Sequence, residues 1–224
     1  YRGLTISANL TRILYDYFCK IYPPNVIFIP ELDHMQINYL PDNIEKIKQN
    51  PRYDFPNIKV ILSHIRYNSF PNLTQECNYK FICVREPISR VISNYYFFNF
   101  PQTKIHFIDL NSENFKSYAS QSGKHISNCF GIKTHNEIEI DKRLKEFNYI
   151  AILENLDSDL IGLNKSLNVS FNQNIVLHNK KLNINKKQNK KDIEKLKILL
   201  EKYCTLDIMV YNRILSLKKD NIID

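Results

Sequence analysis

The chain has 224 residues, 43% hydrophobic and 12% aromatic, which is enough for one domain with a packed core. No apolar run approaches the length of a membrane span and no signal peptide is visible, so a spanning helix is excluded within these residues. A net charge of +8 favours an anionic partner, whether nucleotide, acidic glycan, nucleic acid or membrane.

Residues 1–7 are polar and contain Gly3. Because the chain opens at Tyr1 in a turn pattern, we expect a missing upstream strand and, with it, any targeting segment. From Ser7 the pattern turns helical, with Leu10, Ile13, Leu14, Tyr17 and Phe18 on one face, until Pro23 and Pro24 stop it. Val26–Ile29 is a short buried strand closed by Pro30. Asp42 or Asn43 caps a short helix through Lys48, and Ile58–Leu62 is the next strand, running into Ser63-His64-Ile65-Arg66-Tyr67-Asn68.

The stretch 79–98 is the most informative. An apolar run, Phe81–Val84, is broken by Arg85-Glu86-Pro87 before a helical pattern begins. Pro87 has no backbone N–H to lose in a first helical turn, and the N–H groups behind it favour an anion. Arg85, at the strand end, can point into the same space. Ser93, eight residues on, lies about two turns along the helix and can face back to it. The pattern is that of a phosphate site made of a cation, a hydroxyl and a helix end.

Further along, Asn111 or Ser112 caps a helix with Phe115 and Tyr118 inward, and residues 119–137 read as a mobile connection. Tyr149–Leu153 is a strand, followed by a helix from Asp157 to Leu167. Residues 168–190, rich in Asn and Lys, read as a solvated loop. Asp192–Tyr203 is an amphipathic helix with Ile193, Leu196, Leu199 and Leu200 inward, and Leu206–Leu217 makes the last helix. Strands alternating with helices predict a three-layer α/β/α domain over 1–224 with a central parallel sheet. Ligands in such sheets bind beyond the carboxyl ends of the strands, here residues 1–9, 63–68 and 85–93.

The five cysteines are widely spaced with no CxxC, so neither a zinc site nor a dense disulfide framework is indicated, and one or two disulfides stay open. Sequons begin at Asn9, Asn72, Asn164 and Asn168; they fit a secretory route, and a chain this rich in Asn also carries them by chance.

Phe81-Ile82-Cys83-Val84-Arg85-Glu86-Pro87-Ile88-Ser89-Arg90-Val91-Ile92-Ser93-Asn94-Tyr95-Tyr96 resembles the 3′-phosphate-binding motif of sulfotransferases, closest to the Golgi carbohydrate O-sulfotransferases and their bacterial relatives, galactose-3-O- and heparan-2-O-type proteins among them. Other segments resemble that family in the same order. They are Ile61–Asn68 with its His, Phe115 with Tyr118, Asn128–Gly131, Tyr149–Asp157 with Glu154 at its strand end, Leu182–Asn185 and Leu206–Tyr211. The resemblance implies a P-loop-like sulfotransferase fold and transfer of a sulfonate from 3′-phosphoadenosine 5′-phosphosulfate (PAPS) to a carbohydrate hydroxyl, with no metal and no nucleic-acid partner. It places Arg85 and Ser93 on the 3′-phosphate, and Thr5 and Ser7 on the 5′-phosphosulfate. It gives His64 the role of general base, suited by its near-neutral unperturbed pKa.

Arg66, Tyr67, His34 and Glu31 are lower-ranked candidates for the acceptor side. The family's loop Lys falls on Leu4 in one register; a shifted register puts Arg2 near that role and keeps Gly3 and Thr5 in the loop, and both registers stay open. A eukaryotic member is expected in the Golgi lumen as a type II membrane protein, its only membrane contact an anchor lying outside these residues, and a bacterial one in the cytoplasm. Two alternatives stand beside this reading. One is a catalytically impaired nucleotide- or glycan-binding relative, motivated by Leu4. The other is a P-loop kinase or NTPase, disfavoured because no GxxxxGK[ST] occurs and the chain has only 4 Gly.

Overall fold

The computed structural model describes residues 18–28, 51, 54–57, 59–61, 79–98, 110, 112–167, 190–220 and 223. The helix expected from Ser7, the capped helix at 42–48 and the loop at 168–190 lie outside them, apart from Lys190 and residues 18–22, of which Phe18 is helical and 19–22 already turn away from a helix. The described residues fall in two compact units, one within Leu4–Gln75 and one within Glu76–Asp224.

In the first unit, a single 3-10 turn over Pro24–Val26 leads into β1 (Ile27–Phe28). β1 pairs in parallel with β2 (Val60–Ile61), in the register Ile27↔Val60 and Phe28↔Ile61. Both lie inside the strands read from the sequence, and Ile27 is buried.

The second unit is built on β3 (Phe81–Val84) and β4 (Tyr149–Ile152), again parallel, in the register Phe81↔Tyr149 to Val84↔Ile152. A parallel pair needs a long crossover, which here is helical. It runs through α1 (Pro87–Phe98), α2 (Glu113–Ser122), α3 (His125–Phe130) and α4 (Glu137–Leu144). After β4 come α5 (Leu156–Leu167), α6 (Lys190–Glu201) and α7 (Thr205–Lys219). All four residues of β4 are buried, the pattern of a strand covered on both faces. The described residues thus form a mixed α/β structure, mostly helical, with two parallel strand pairs.

α5 packs on β4, α6 packs on α1, and α7 touches α1, α3 and α4. Val91 and Ile92 of α1, Phe115 and Ala119 of α2, and Leu196 and Leu200 of α6 meet in one core cluster with Cys204. Ile193, Leu199, Tyr95 and Tyr118 pack at its edge. The inward face expected for α6 is therefore the observed one. Ser112 caps α2 as expected, its hydroxyl accepting the Phe115 N–H at 3.1 Å.

The mobile connection expected at 119–137 is overturned. Those residues complete α2, form α3 and enter α4, and they bury Ala119, Ile126, Ser127, Phe130 and Ile132. The order comes from caps and one close approach. Gly131 stops α3 in the left-handed region at φ 69°, and the backbone of Tyr203 lies where a side chain on Gly123 would stand. Asp207, fully buried at the start of α7, accepts the Ile126 and Ser127 N–H groups at 2.8 Å each and so caps α3 from a distant helix. α4 was not read from the sequence. Its Asn136 cap, acidic first turn, buried Ile140 and Leu144, and Lys142 and Arg143 in the last turn are its signals.

Candidate anion site at the end of β3

β3 stops at Val84, three residues before Pro87, which has no N–H to continue the ladder. α1 then starts at Pro87, as its fixed φ favours. The first-turn N–H groups of α1 are all used. Glu86 accepts Ile88 N–H on Oε1 at 3.0 Å and Ser89 N–H on Oε2 at 2.6 Å, and its carbonyl accepts Arg90 N–H at 2.9 Å. This corrects one expectation. The helix end does hold an anion, but it is the carboxylate of Glu86, so a ligand would meet Arg85 and Ser93 rather than open helix N–H groups. Ser89 is thus a backbone donor to this cap.

Arg85 sits at the end of β3 with 27% of its side chain exposed. Its Nε lies 3.9 Å from Glu154 Oε1, an ion pair too long for a hydrogen bond. Burial lowers its pKa, and the charges of Glu154 and Glu86 pull it back up, so the guanidinium stays a cation. Ser93 is half-buried on α1, on the same strand–turn–helix unit, and is spaced four residues from Ser89, so the two serines share a helix face. Among the described residues no hydrogen bond joins Arg85 to Ser93.

Glu154 follows β4 by two residues, the same offset at which Glu86 follows β3. The parallel register therefore sets the two side by side. Glu154 Oε1 accepts the Glu86 backbone N–H at 3.1 Å, and Oε2 accepts the Tyr211 hydroxyl of α7 at 3.2 Å. Burial, the Glu154 charge and that hydrogen bond all push the Tyr211 hydroxyl pKa up, so it stays a donor. From the sequence Glu154 was only a strand-end Glu, and Tyr211 only part of a terminal pattern. Their role depends on strand register and helix docking, which no local signal gives.

Behind α1, Arg90 donates from Nη2 to the Ser122 carbonyl, while its buried Nε has no partner among the described residues. This side chain faces the α2–α3 junction and not the Arg85 turn.

His64, Arg66, Tyr67, His34, Glu31, Arg2, Gly3, Thr5 and Ser7 lie outside the described residues. Cys19, Cys83 and Cys204 carry free thiols, and the Cys129 sulfur lies 3.7 Å from His125 Nε2. Among the described residues no helix is long and apolar enough to cross a membrane. No protein-family model, curated protein or solved structure matches this chain.

Proposed function

We propose that the chain is a sulfotransferase that moves a sulfonate from PAPS to a carbohydrate hydroxyl, on a single three-layer α/β/α domain of P-loop type over 1–224. The observation that carries the reading is Arg85 at the carboxyl end of a parallel strand, followed by a helix opened by Pro87 that bears Ser93. When bound, PAPS supplies the sulfonate. The chain's own residues bind and orient. Arg85 and Ser93 take the 3′-phosphate, the guanidinium by paired charge-assisted hydrogen bonds. The fit is reasonable, because the only partner of Arg85 among the described residues is the loose 3.9 Å contact with Glu154. A phosphate can displace that contact without breaking a hydrogen bond.

Thr5 and Ser7, or Arg2, Gly3 and Thr5 in the shifted register, take the 5′-phosphosulfate. His64 accepts the proton of the acceptor hydroxyl, and Arg66, Tyr67, His34 and Glu31 are assigned to the acceptor side. These roles rest on the resemblance in sequence. The second reading, a relative that binds nucleotide or glycan without turnover, is favoured by Leu4, since a Leu there removes a charge that acts in the transition state.

Calorimetric titration with 3′-phosphoadenosine 5′-phosphate (PAP) tests the nucleotide assignment. The parent chain binds it, and Arg85→Ala weakens binding about 10- to 100-fold, the range of a lost charge-assisted hydrogen bond. Equal binding by parent and variant would remove Arg85 from the site. Hydrolysis of ATP by the chain would favour the kinase alternative.

A further inference from the structure

We infer that Glu154 is the positioning residue of the Arg85 turn: its carboxylate, held by Tyr211, is the resident counter-ion that an incoming phosphate displaces from Arg85. The inference rests on Arg85 being the anion-binding cation of the proposed function, and it assigns what regulates the strength of that cation.

The geometry sorts the contacts by strength. Glu154 makes two hydrogen bonds, to the Glu86 N–H at 3.1 Å and to the Tyr211 hydroxyl at 3.2 Å. It stays 3.9 Å from Arg85 Nε. At that distance it lends charge to a half-buried guanidinium but takes none of its donors. The pair is partly wet, with 27% and 40% of the two side chains exposed, so the attraction is modest. A phosphate that meets the guanidinium fork gains charge-assisted hydrogen bonds that the carboxylate does not have. Glu86 adds charge near Arg85, but its carboxylate is turned to the Ile88 and Ser89 N–H groups of α1, and among the described residues the ion pair of Arg85 is with Glu154. What keeps Glu154 from closing on Arg85 is its second bond, to Tyr211, a buried side chain of α7. The C-terminal helix thereby sets how available Arg85 is.

Two isosteric substitutions should act in opposite directions. Glu154→Gln keeps an acceptor for Glu86 and can receive or give a hydrogen bond at Tyr211, but it removes the competing charge. Tyr211→Phe frees one carboxylate oxygen to pair with Arg85. We expect Glu154→Gln to tighten, and Tyr211→Phe to weaken, anion binding by about two- to fivefold each, the range of an exposed ion pair. The probes are PAP and inorganic phosphate, titrated into the full chain, with thermal melts confirming that each variant folds. A merely structural role would leave affinity unchanged or weaken it in both variants, and either result overturns the inference. If Tyr211→Phe does not fold, the sign of Glu154→Gln decides alone.

The two probes separate this inference from the reading beneath it. Opposite shifts with phosphate, but no binding of PAP beyond that of phosphate, keep Glu154 in its role and remove the nucleotide. Tight PAP binding that Arg85→Ala abolishes, without opposite shifts, keeps the nucleotide and removes the role of Glu154. No binding of either anion by the parent removes both.

Discussion

The carboxylate of Glu86 accepts the backbone N–H of Ser89 at 2.6 Å, closing the first turn of α1 with a side chain of the chain itself. This contact separates two jobs that the sequence places together, since Arg85 and Glu86 are neighbours with opposite charges. Arg85 is left in a loose ion pair with Glu154, and Glu86 has become the anion of the helix end. Glu86→Ala should cost about 1 kcal/mol of stability, as the loss of a helix cap does, read as a lower urea midpoint with an unchanged m-value. An unchanged midpoint would mean the cap contributes nothing in solution.

The α1–α6 interface should be sensitive to volume. Leu200 is fully buried in the cluster with Val91 and Phe115. Leu200→Ala leaves a cavity there and is expected to destabilise the chain by about 2–5 kcal/mol in denaturant unfolding. Ile198, which is 69% exposed on the same helix, should tolerate Ala with a change within about 0.5 kcal/mol. Similar costs at both positions would contradict the packing described.

The strand-to-helix unit was legible because its signals are local. An apolar run, a Pro and a helical period of inward residues fix β3 and α1, and the same period fixes α6 and α7. The segment 119–137 was misread because its order is not local. Asp207 caps α3 across 80 residues of chain, and a polar, Ser-rich stretch looks like a loop until that cap is known. Glu154 was visible as a strand-end Glu, but its contact with Glu86 follows from the pairing of Val84 with Ile152, which no residue type announces. Arg85 and Ser93 were legible as candidates because their spacing along a strand and helix is itself the signal.

Acid should probe the contact between α4 and α7. Arg213 donates from Nε and Nη2 to the two Asp141 oxygens at 2.6 Å each, and that hydrogen bonding holds the Asp141 pKa below its ordinary value despite some burial. A carboxylate depressed in the folded state contributes stability above its unfolded pKa, about 3.9, and that contribution is lost as pH falls through the folded value. Asp141→Asn should therefore be less stable than the parent at pH 7, with the gap closing as pH drops below about 4. A gap that does not depend on pH would mean the pair's charge contributes nothing.

Thiol chemistry should follow burial. The Cys83 and Cys204 thiols are pushed up to about 12, chiefly by burial and then by nearby carboxylates, Asp159 and Glu154 for Cys83 and Asp207 for Cys204. At pH 8 each is thiolate only about one part in ten thousand, so a disulfide reagent should label both far more slowly than a free cysteine, at rates that rise with urea. Rapid labelling of Cys204 in the native chain would show that the cluster of α1, α2 and α6 does not bury it.

Sulfonate transfer is read by incubating the chain with PAPS carrying a labelled sulfonate and a panel of glycans. We predict label on at least one glycan, loss of that label in Arg85→Ala, and loss in His64→Ala with PAP binding retained. Label on no glycan while PAP still binds would contradict catalysis and leave a nucleotide-binding relative in its place.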